Sequence, residues 1–141
     1  MNQPSPNIGN SHGLTPTILI TGVSSGIGHS AAKYLLNQGY RVFGSVRRNK
    51  DAGALQLELG SAFTPLIFDV SDAAAVSKAI EVLAGELSST PLAGLVNNAG
   101  IAALGPLECL DDKQFEQSLR VNVIGTRHVI NACLPLSLIH I

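Results

Sequence analysis

The chain has 141 residues, of which 45% are hydrophobic and 13% are charged, so it can bury a core but is long enough for only one domain. Nine lysine and arginine residues stand against ten aspartate and glutamate residues, giving a net charge of −1. This balance argues against a broad nucleic acid interface. No run of about eighteen apolar residues occurs, so no membrane-spanning helix is expected.

Composition divides the chain into three parts. Residues 1–15 are polar and rich in proline, glycine and asparagine, which predicts a disordered tail without the apolar segment of a signal peptide. Residues 16–135 form the predicted domain. Residues 136–141 match the translation of a sequencing adapter and are expected to be a non-native tail, the alternative being a native helix end with an apolar extension.

Short β-rich runs alternate with helical patterns from residue 17 onward, which predicts parallel strands joined by helical crossovers. The predicted strands are Thr17–Thr21, Arg41–Val46, Phe63–Phe68 and Leu92–Val96. Right-handed crossovers place them in the order 3-2-1-4, so the winding reverses between strands one and four. The fold class is therefore an α/β doubly wound parallel sheet.

The first helix is predicted to begin near Gly26 and to end at Gly39, a left-handed stop. Apolar residues at helical spacing predict its buried face. These residues are Ile27, Ala31, Tyr34 and Leu35.

Three more helices follow, the first of them over Ala52–Leu59. Ser71 or Asp72 can cap the next, and its apolar stripe consists of Val76, Ala79, Ile80, Leu83 and Leu87. Asp111 with Gln114 three positions later predicts a capping box for the last helix. That helix carries Phe115, Leu119, Val123 and Ile130 on one side.

Two glycine-bearing loops follow strands one and four and flank the reversal. The first has the pattern Gly22-x-x-x-Gly26-x-Gly28, and the second is Asn97-Asn98-Ala99-Gly100. Glycine permits positive φ and close approach of a ligand, and a helix amino terminus offers free N–H groups to phosphate. Ser24 and Ser25 add hydroxyl donors. The pattern favours a dinucleotide site over an ordinary strand-to-helix turn.

Both loops, Asp69-Val70 after strand three, and Asn122 within Val121-Asn122-Val123-Ile124-Gly125-Thr126 resemble the short-chain dehydrogenase/reductase family. The resemblance covers Thr17 to about Pro135, the amino-terminal half of such an enzyme. It implies a Rossmann-like fold and an NAD(P)-dependent oxidoreductase acting on an alcohol or carbonyl substrate. The alternative is a non-catalytic dinucleotide-binding module or an inactive fragment.

The resemblance implies a set of cofactor-binding residues. They are Gly22, Ser24, Ser25, Gly26, Ile27, Gly28, Arg47, Asp69, Val70, Asn98, Ala99 and Gly100. Asp69 would accept a hydrogen bond from the adenine amine, unless it merely caps a helix. The segment Asn97–Gly100 would brace strand four and lie against the ribose, unless it is a simple turn.

Asn122 is the implied catalytic residue. In the family its backbone carbonyl, freed by a helix distortion, holds a water that links to a catalytic lysine; without the family, Asn122 could be an exposed polar position. The implied serine and Tyr-x-x-x-Lys pattern do not occur in these 141 residues. The parent protein is therefore expected to be an enzyme, and this chain alone is expected not to turn over substrate.

The end of strand two bears on the choice of cofactor. NAD-dependent relatives carry an acidic residue there, whereas this chain has Val46 followed by Arg47 and Arg48. Guanidinium pairs well with phosphate, which favours NADP(H) over NAD(H). The alternative is that both arginines belong to a solvated turn.

Cys109 and Cys133 lack the spacing of a metal site or redox pair, which predicts free thiols in a reducing, cytoplasmic compartment. The histidines lack metal-ligand spacing and are expected at the surface, so no metal is predicted. They are His12, His29, His128 and His140. The resemblance implies a homodimer or homotetramer for the parent, paired partly through the last helix.

Overall fold

The computed structural model describes residues 15–88 and 90–137. Four parallel strands form one sheet in the order β3-β2-β1-β4, which confirms the predicted topology. The strands are β1 Thr17–Ile20, β2 Arg41–Val46, β3 Phe63–Ile67 and β4 Leu92–Val96. The proposed tail 1–15 lies outside the described residues apart from Thr15, and of 136–141 only Leu136 and Ser137 are described.

Helices follow each strand, and the last predicted helix is divided into three segments. The helices are α1 Gly26–Asn37, α2 Asn49–Leu59, α3 Ala73–Leu87, α4 Asp112–Leu119 and α5 Thr126–Cys133. A π-helical segment, Arg120–Gly125, joins α4 to α5. Within the described residues, no helix combines the length and the apolar character needed to cross a membrane.

A hydrophobic core lies on each face of the sheet, because successive side chains of a strand point to opposite faces. Leu19 and Phe43 belong to the core that α3 and α5 cover. Ile20 and Val42 belong to the core on the side of α1 and α2. The sheet is therefore covered on both faces, as expected for parallel strands.

The predicted buried face of α1 is partly wrong. Ile27 is 83% exposed and Tyr34 is 64% exposed, whereas Gly28 and Ala32 are the buried positions. A Cβ at Gly28 would overlap the Asn98 Nδ2 atom and the carbonyl oxygen of Gly22. The helix therefore approaches the sheet along its small residues, which turns Ile27 and Tyr34 outward.

Aspartate side chains cap the amino termini of α3 and α4. Asp72, not Ser71, caps α3, since its Oδ1 accepts from the backbone N–H groups of Ala74 and Ala75, each at 3.0 Å. All five members of the predicted α3 stripe are buried. The Asp111 capping box at the start of α4 is confirmed, with both of its reciprocal bonds present.

The π-helical segment lies against the loop that follows β3. A Cβ at Gly125 would lie 2.7 Å from Cγ2 of Val70, so glycine allows this close approach.

The four apolar residues predicted on one side of the last helix are all exposed: Phe115, Leu119, Val123 and Ile130. They therefore form a surface strip, hereafter the α4–α5 apolar strip.

Candidate cofactor-binding site

A cavity of about 260 Å³ lies where the carboxyl ends of the strands meet, the position at which open α/β sheets bind ligands. Of the twelve cofactor-binding candidates, the cavity is lined by all except Gly26, Ile27 and Gly28. It is also lined by residues outside the predicted set: Ser45, Phe68, Ile101 and Val121. The structure therefore brings loops from all four strands to one site.

The glycine loop after β1 depends on left-handed backbone conformation. Gly22 has φ +72° and Gly26 has φ +63°, a region in which residues other than glycine are strained. A Cβ at Gly22 would also lie 2.9 Å from the Cα of Ala99. Glycine at position 22 thus serves both the turn and the contact between the two loops.

Strand β2 holds one side of the glycine loop. The N–H of Gly22 donates to Oγ of Ser45 at 2.9 Å, and the N–H of Val23 donates to the carbonyl of Ser45 at 3.0 Å. These two donors are therefore used within the protein. The signal for Ser45 in the sequence was its place at the end of a strand, two residues before Arg47.

The loop after β4 holds the other side. Oγ1 of Thr21 accepts from the backbone N–H groups of Asn98 and Ala99 at 3.0 and 2.9 Å. Nδ2 of Asn98 donates to the carbonyls of Thr21 and Gly22, each at 2.9 Å. Asn98 thus braces the glycine loop, while the contact of this segment with a ribose stays a prediction.

Asp69 presents a carboxylate to the cavity. Its Oδ1 accepts from the N–H of Ser71 at 2.8 Å and from Oγ of Ser71 at 2.6 Å. The hydrogen bond from the Ser71 hydroxyl lowers the pKa of Asp69, and the Arg47 charge also lowers it, against an opposing effect of burial. The cap of α3 is Asp72, so Asp69 does not fill the helix-capping role that was its alternative.

The two arginines after β2 have different surroundings. Arg48 is paired with Asp51, with 2.7 Å between Nε and Oδ2. Arg47 lines the cavity and has no ion pair within 15–88 and 90–137. Only Arg47 is therefore placed to meet an anionic ligand.

Asn122 lies within the π-helical segment, so the helix distortion that the resemblance implied is present. Its Nδ2 donates to the carbonyl of Ile101 at 2.7 Å, and its Oδ1 accepts from the N–H of Ile101 at 2.9 Å. Its own carbonyl accepts from Oγ1 of Thr126 at 2.8 Å. The side chain thus joins the segment to the loop after β4, and the water-binding role stays a prediction.

Neither cysteine lines the cavity. No group of three metal-ligating side chains occurs in the described part of the chain. Cys109 is exposed and Cys133 is buried, and burial raises the pKa of Cys133 to about 11.

The two described histidines are half-buried, so each keeps part of its ring at the surface. Nδ1 of His128 lies 3.1 Å from the carbonyl oxygen of Val70, and Nε2 of His29 lies 3.2 Å from Oε1 of Glu58. Each ring is therefore fixed by a neighbouring element. His12 and His140 lie outside the described residues.

Two solved structures resemble this fold closely. A 3-ketoacyl-(acyl-carrier-protein) reductase from Brucella melitensis, complexed with NADH, has a TM-score of 0.80 and 30% identity over 86% of this chain and 49% of its own. A carbonyl reductase from chicken fatty liver, bound to NADPH, has a TM-score of 0.79 and 26% identity over 86% of this chain and 51% of its own.

Sequence comparison points the same way. The NADPH-dependent 3-dehydrocapnine reductase of Ornithobacterium rhinotracheale is 37% identical over 118 residues, which are 84% of this chain and 42% of that protein. The chain thus spans about half the length of these three proteins. A family model described as short chain dehydrogenase matches residues 16–139, and the chain belongs to that family.

Proposed function

We propose that this chain is the cofactor-binding half of an NADP(H)-dependent oxidoreductase that acts on an alcohol or carbonyl substrate. The observation that carries the proposal is that the glycine loop, the Asn98 loop, Asp69 and Arg47 line the same cavity. Family membership supports it, as do the NADPH named for the 3-dehydrocapnine reductase and the NADPH bound by the chicken carbonyl reductase.

The residues present suit a phosphorylated dinucleotide. Ser24 and Ser25 precede the amino terminus of α1, where free N–H groups and the helix dipole favour phosphate. Asp69 is acceptor-only when ionised and suits an adenine amine. A bound dinucleotide would give a hydride to the carbonyl carbon in its reduced form, or take one from the alcohol carbon in its oxidised form. The chain's own residues bind and orient it, with Asn122 as the proposed link to a proton-relay water.

Arg47 is the proposed determinant of the 2′-phosphate. The Brucella reductase is complexed with NADH, so the fold alone does not decide between the two cofactors. An arginine without an ion pair partner in the described residues favours the extra phosphate, and the apolar Val46 offers no carboxylate to the ribose hydroxyls.

The test is the ratio of NADPH and NADH dissociation constants, measured by nucleotide fluorescence. We expect Arg47→Ala to weaken NADPH binding by about tenfold to a hundredfold, since a charge-assisted bond contributes about 1.5–3 kcal/mol, with little change for NADH. Val46→Asp should shift the preference toward NADH. The control is Arg48→Ala, which loses only the Asp51 pair; an unchanged ratio in Arg47→Ala would contradict the NADP(H) assignment.

A non-catalytic dinucleotide-binding module is the second candidate. Tyr34 and Tyr40 are the tyrosines of the sequence, and neither has a lysine four positions later. If the chain is such a module, NADPH should bind to it and should not be oxidised by added carbonyl compounds. Measurable carbonyl reduction by the purified chain would contradict that expectation.

Assembly and location are also part of the proposal. The α4–α5 apolar strip supports pairing of the parent protein as a homodimer or homotetramer. A small-molecule alcohol or carbonyl is the proposed substrate, without a nucleic acid or membrane partner. A cytoplasmic location rests on the composition and on the two thiols.

A further inference from the structure

Ser45 is a buried hydroxyl at the base of the proposed cofactor site. It lies in β2, is 3% exposed and lines the cavity. Strand alternation places it on the same face as Phe43. Its Oγ accepts from the N–H of Gly22, 23 residues earlier in the chain, and its carbonyl accepts from the N–H of Val23. One residue of β2 therefore engages two consecutive N–H groups of the glycine loop.

The two sides of the loop are held unequally. Side-chain hydrogen bonds on the β4 side number four, all between Thr21 or Gly22 and the Asn98 loop. On the β2 side, the Ser45 hydroxyl is the one side chain that bonds to the loop within 15–88 and 90–137. Gly22 has a positive φ, a backbone conformation that glycine adopts easily because it has no Cβ. Few steric restraints therefore fix the direction in which its N–H points toward β2.

We propose that Ser45 is a positioning residue that sets the orientation of the glycine loop for the pyrophosphate of the cofactor. This inference rests on the proposed dinucleotide function. Without the hydroxyl, the Gly22 N–H is left without an acceptor in a partly buried place, and the peptide turns toward water to regain one. Ser24 and Ser25 follow Gly22 after one intervening residue, Val23, so the same movement displaces the donors proposed to face phosphate.

The test compares two probes that share the adenosine 2′-phosphate, NADPH and adenosine 2′-monophosphate, of which only NADPH carries the pyrophosphate and the nicotinamide ribose. We expect Ser45→Ala to raise the dissociation constant of NADPH about tenfold, the factor that corresponds to about 1.4 kcal/mol. Binding of adenosine 2′-monophosphate should change less than about twofold, because it lacks the phosphates that the loop would meet. A general loss of folded protein would weaken both probes.

Two further variants separate hydrogen bonding from packing. Ser45→Thr keeps the hydroxyl and should retain most NADPH affinity, whereas Ser45→Cys keeps a similar size but offers a weak acceptor and should resemble Ser45→Ala. Val42→Ala is the matched control, since Val42 is fully buried in the same strand without a side-chain bond to the loop. It should lower the melting temperature and leave the NADPH dissociation constant of the folded protein unchanged.

Hydrogen exchange of the Gly22 amide supplies a readout without ligand. Ser45→Ala should accelerate that exchange while Val42→Ala should not, because only the first removes the acceptor. If the wild-type chain binds NADPH and Ser45→Ala binds it equally well, the role of Ser45 is overturned and the proposed function stands. If the wild-type chain does not bind NADPH, the proposed function is overturned together with the inference that rests on it.

Discussion

Asp69 illustrates how one hydroxyl sets the charge of a site residue. The Ser71 side chain donates to Oδ1 of Asp69 at 2.6 Å and is the largest cause of the lowered Asp69 pKa. A folded-state pKa below the unfolded value contributes stability above the unfolded pKa, and that contribution is lost as the pH falls through the folded pKa. Ser71 therefore keeps Asp69 ionised and acceptor-only further into the acid range.

Replacing Ser71 by alanine tests this coupling. We expect Ser71→Ala to raise the Asp69 pKa toward its ordinary value, although the Ser71 N–H still donates to the carboxylate. NMR titration of the carboxyl carbon measures the shift. Ser77→Ala, at an exposed position on α3, is the control, and an Asp69 pKa equal to that of the wild type would show that the hydroxyl has no such effect.

At the level of elements, α3 shows how a short cap fixes the start of a helix. Asp72 Oδ1 accepts from two backbone N–H groups that have no partner within the helix. The buried stripe of α3 then packs on the sheet, with Val76, Ile80 and Leu83 among its members. The cap and the stripe place the Asp69–Ser71 turn at the cavity, because that turn directly precedes the cap.

Removal of the α3 cap has a defined cost. Asp72→Ala should lower the free energy of unfolding by about 0.5–2 kcal/mol, the usual range for a lost aspartate cap. Chemical denaturation measures the change. Asp72→Asn retains an acceptor and should retain most of the stability, and a Asp72→Ala variant as stable as the wild type would mean that water replaces the cap without loss.

The strand order was predictable because crossovers between parallel strands are right-handed. The α3 stripe and the Asp111 capping box were predictable because each depends on residues that are close together in the sequence. The exposure of Ile27 was not, since the helical spacing alone could not reveal that Gly28 must meet Asn98 and the Gly22 carbonyl. Ser45 was missed for a similar reason: its role arises from a hydrogen bond across 23 residues. Nine of the cofactor candidates reach the cavity because strand ends of a parallel sheet meet at one edge.

On the scale of the whole molecule, several exposed apolar side chains belong to the segment from α4 to α5. Phe115 is 48% exposed and Val123 is 56% exposed, and Leu119 and Ile130 extend the same α4–α5 apolar strip. Contiguous exposed apolar side chains of this kind favour association. β4 lies at the edge of the sheet, and its residues line a small cavity together with Ile130 of the strip. Leu92 is bridged to Ser137, and the rest of β4 presents backbone groups that can pair with another strand.

We expect the chain to self-associate through the strip. The double substitution Phe115→Glu and Leu119→Glu should reduce the apparent mass in light scattering, because burying two carboxylates opposes association. Leu57→Glu is the matched control, since Leu57 is 89% exposed on α2 away from the strip. Equal masses for the wild type and the double variant would exclude the strip as the contact surface.

The double anchorage of the glycine loop also constrains how the protein folds. Thr21 is bonded to Asn98 across 77 residues and Gly22 to Ser45 across 23, so the loop acquires its shape only after both neighbouring strands have docked on β1. Such distant contacts form slowly because the intervening chain must first be closed into loops. On the proposed function, we expect a dinucleotide to bind molecules whose sheet is assembled and to stabilise them by mass action. Added NADPH should therefore raise the fraction of the newly made chain that is folded.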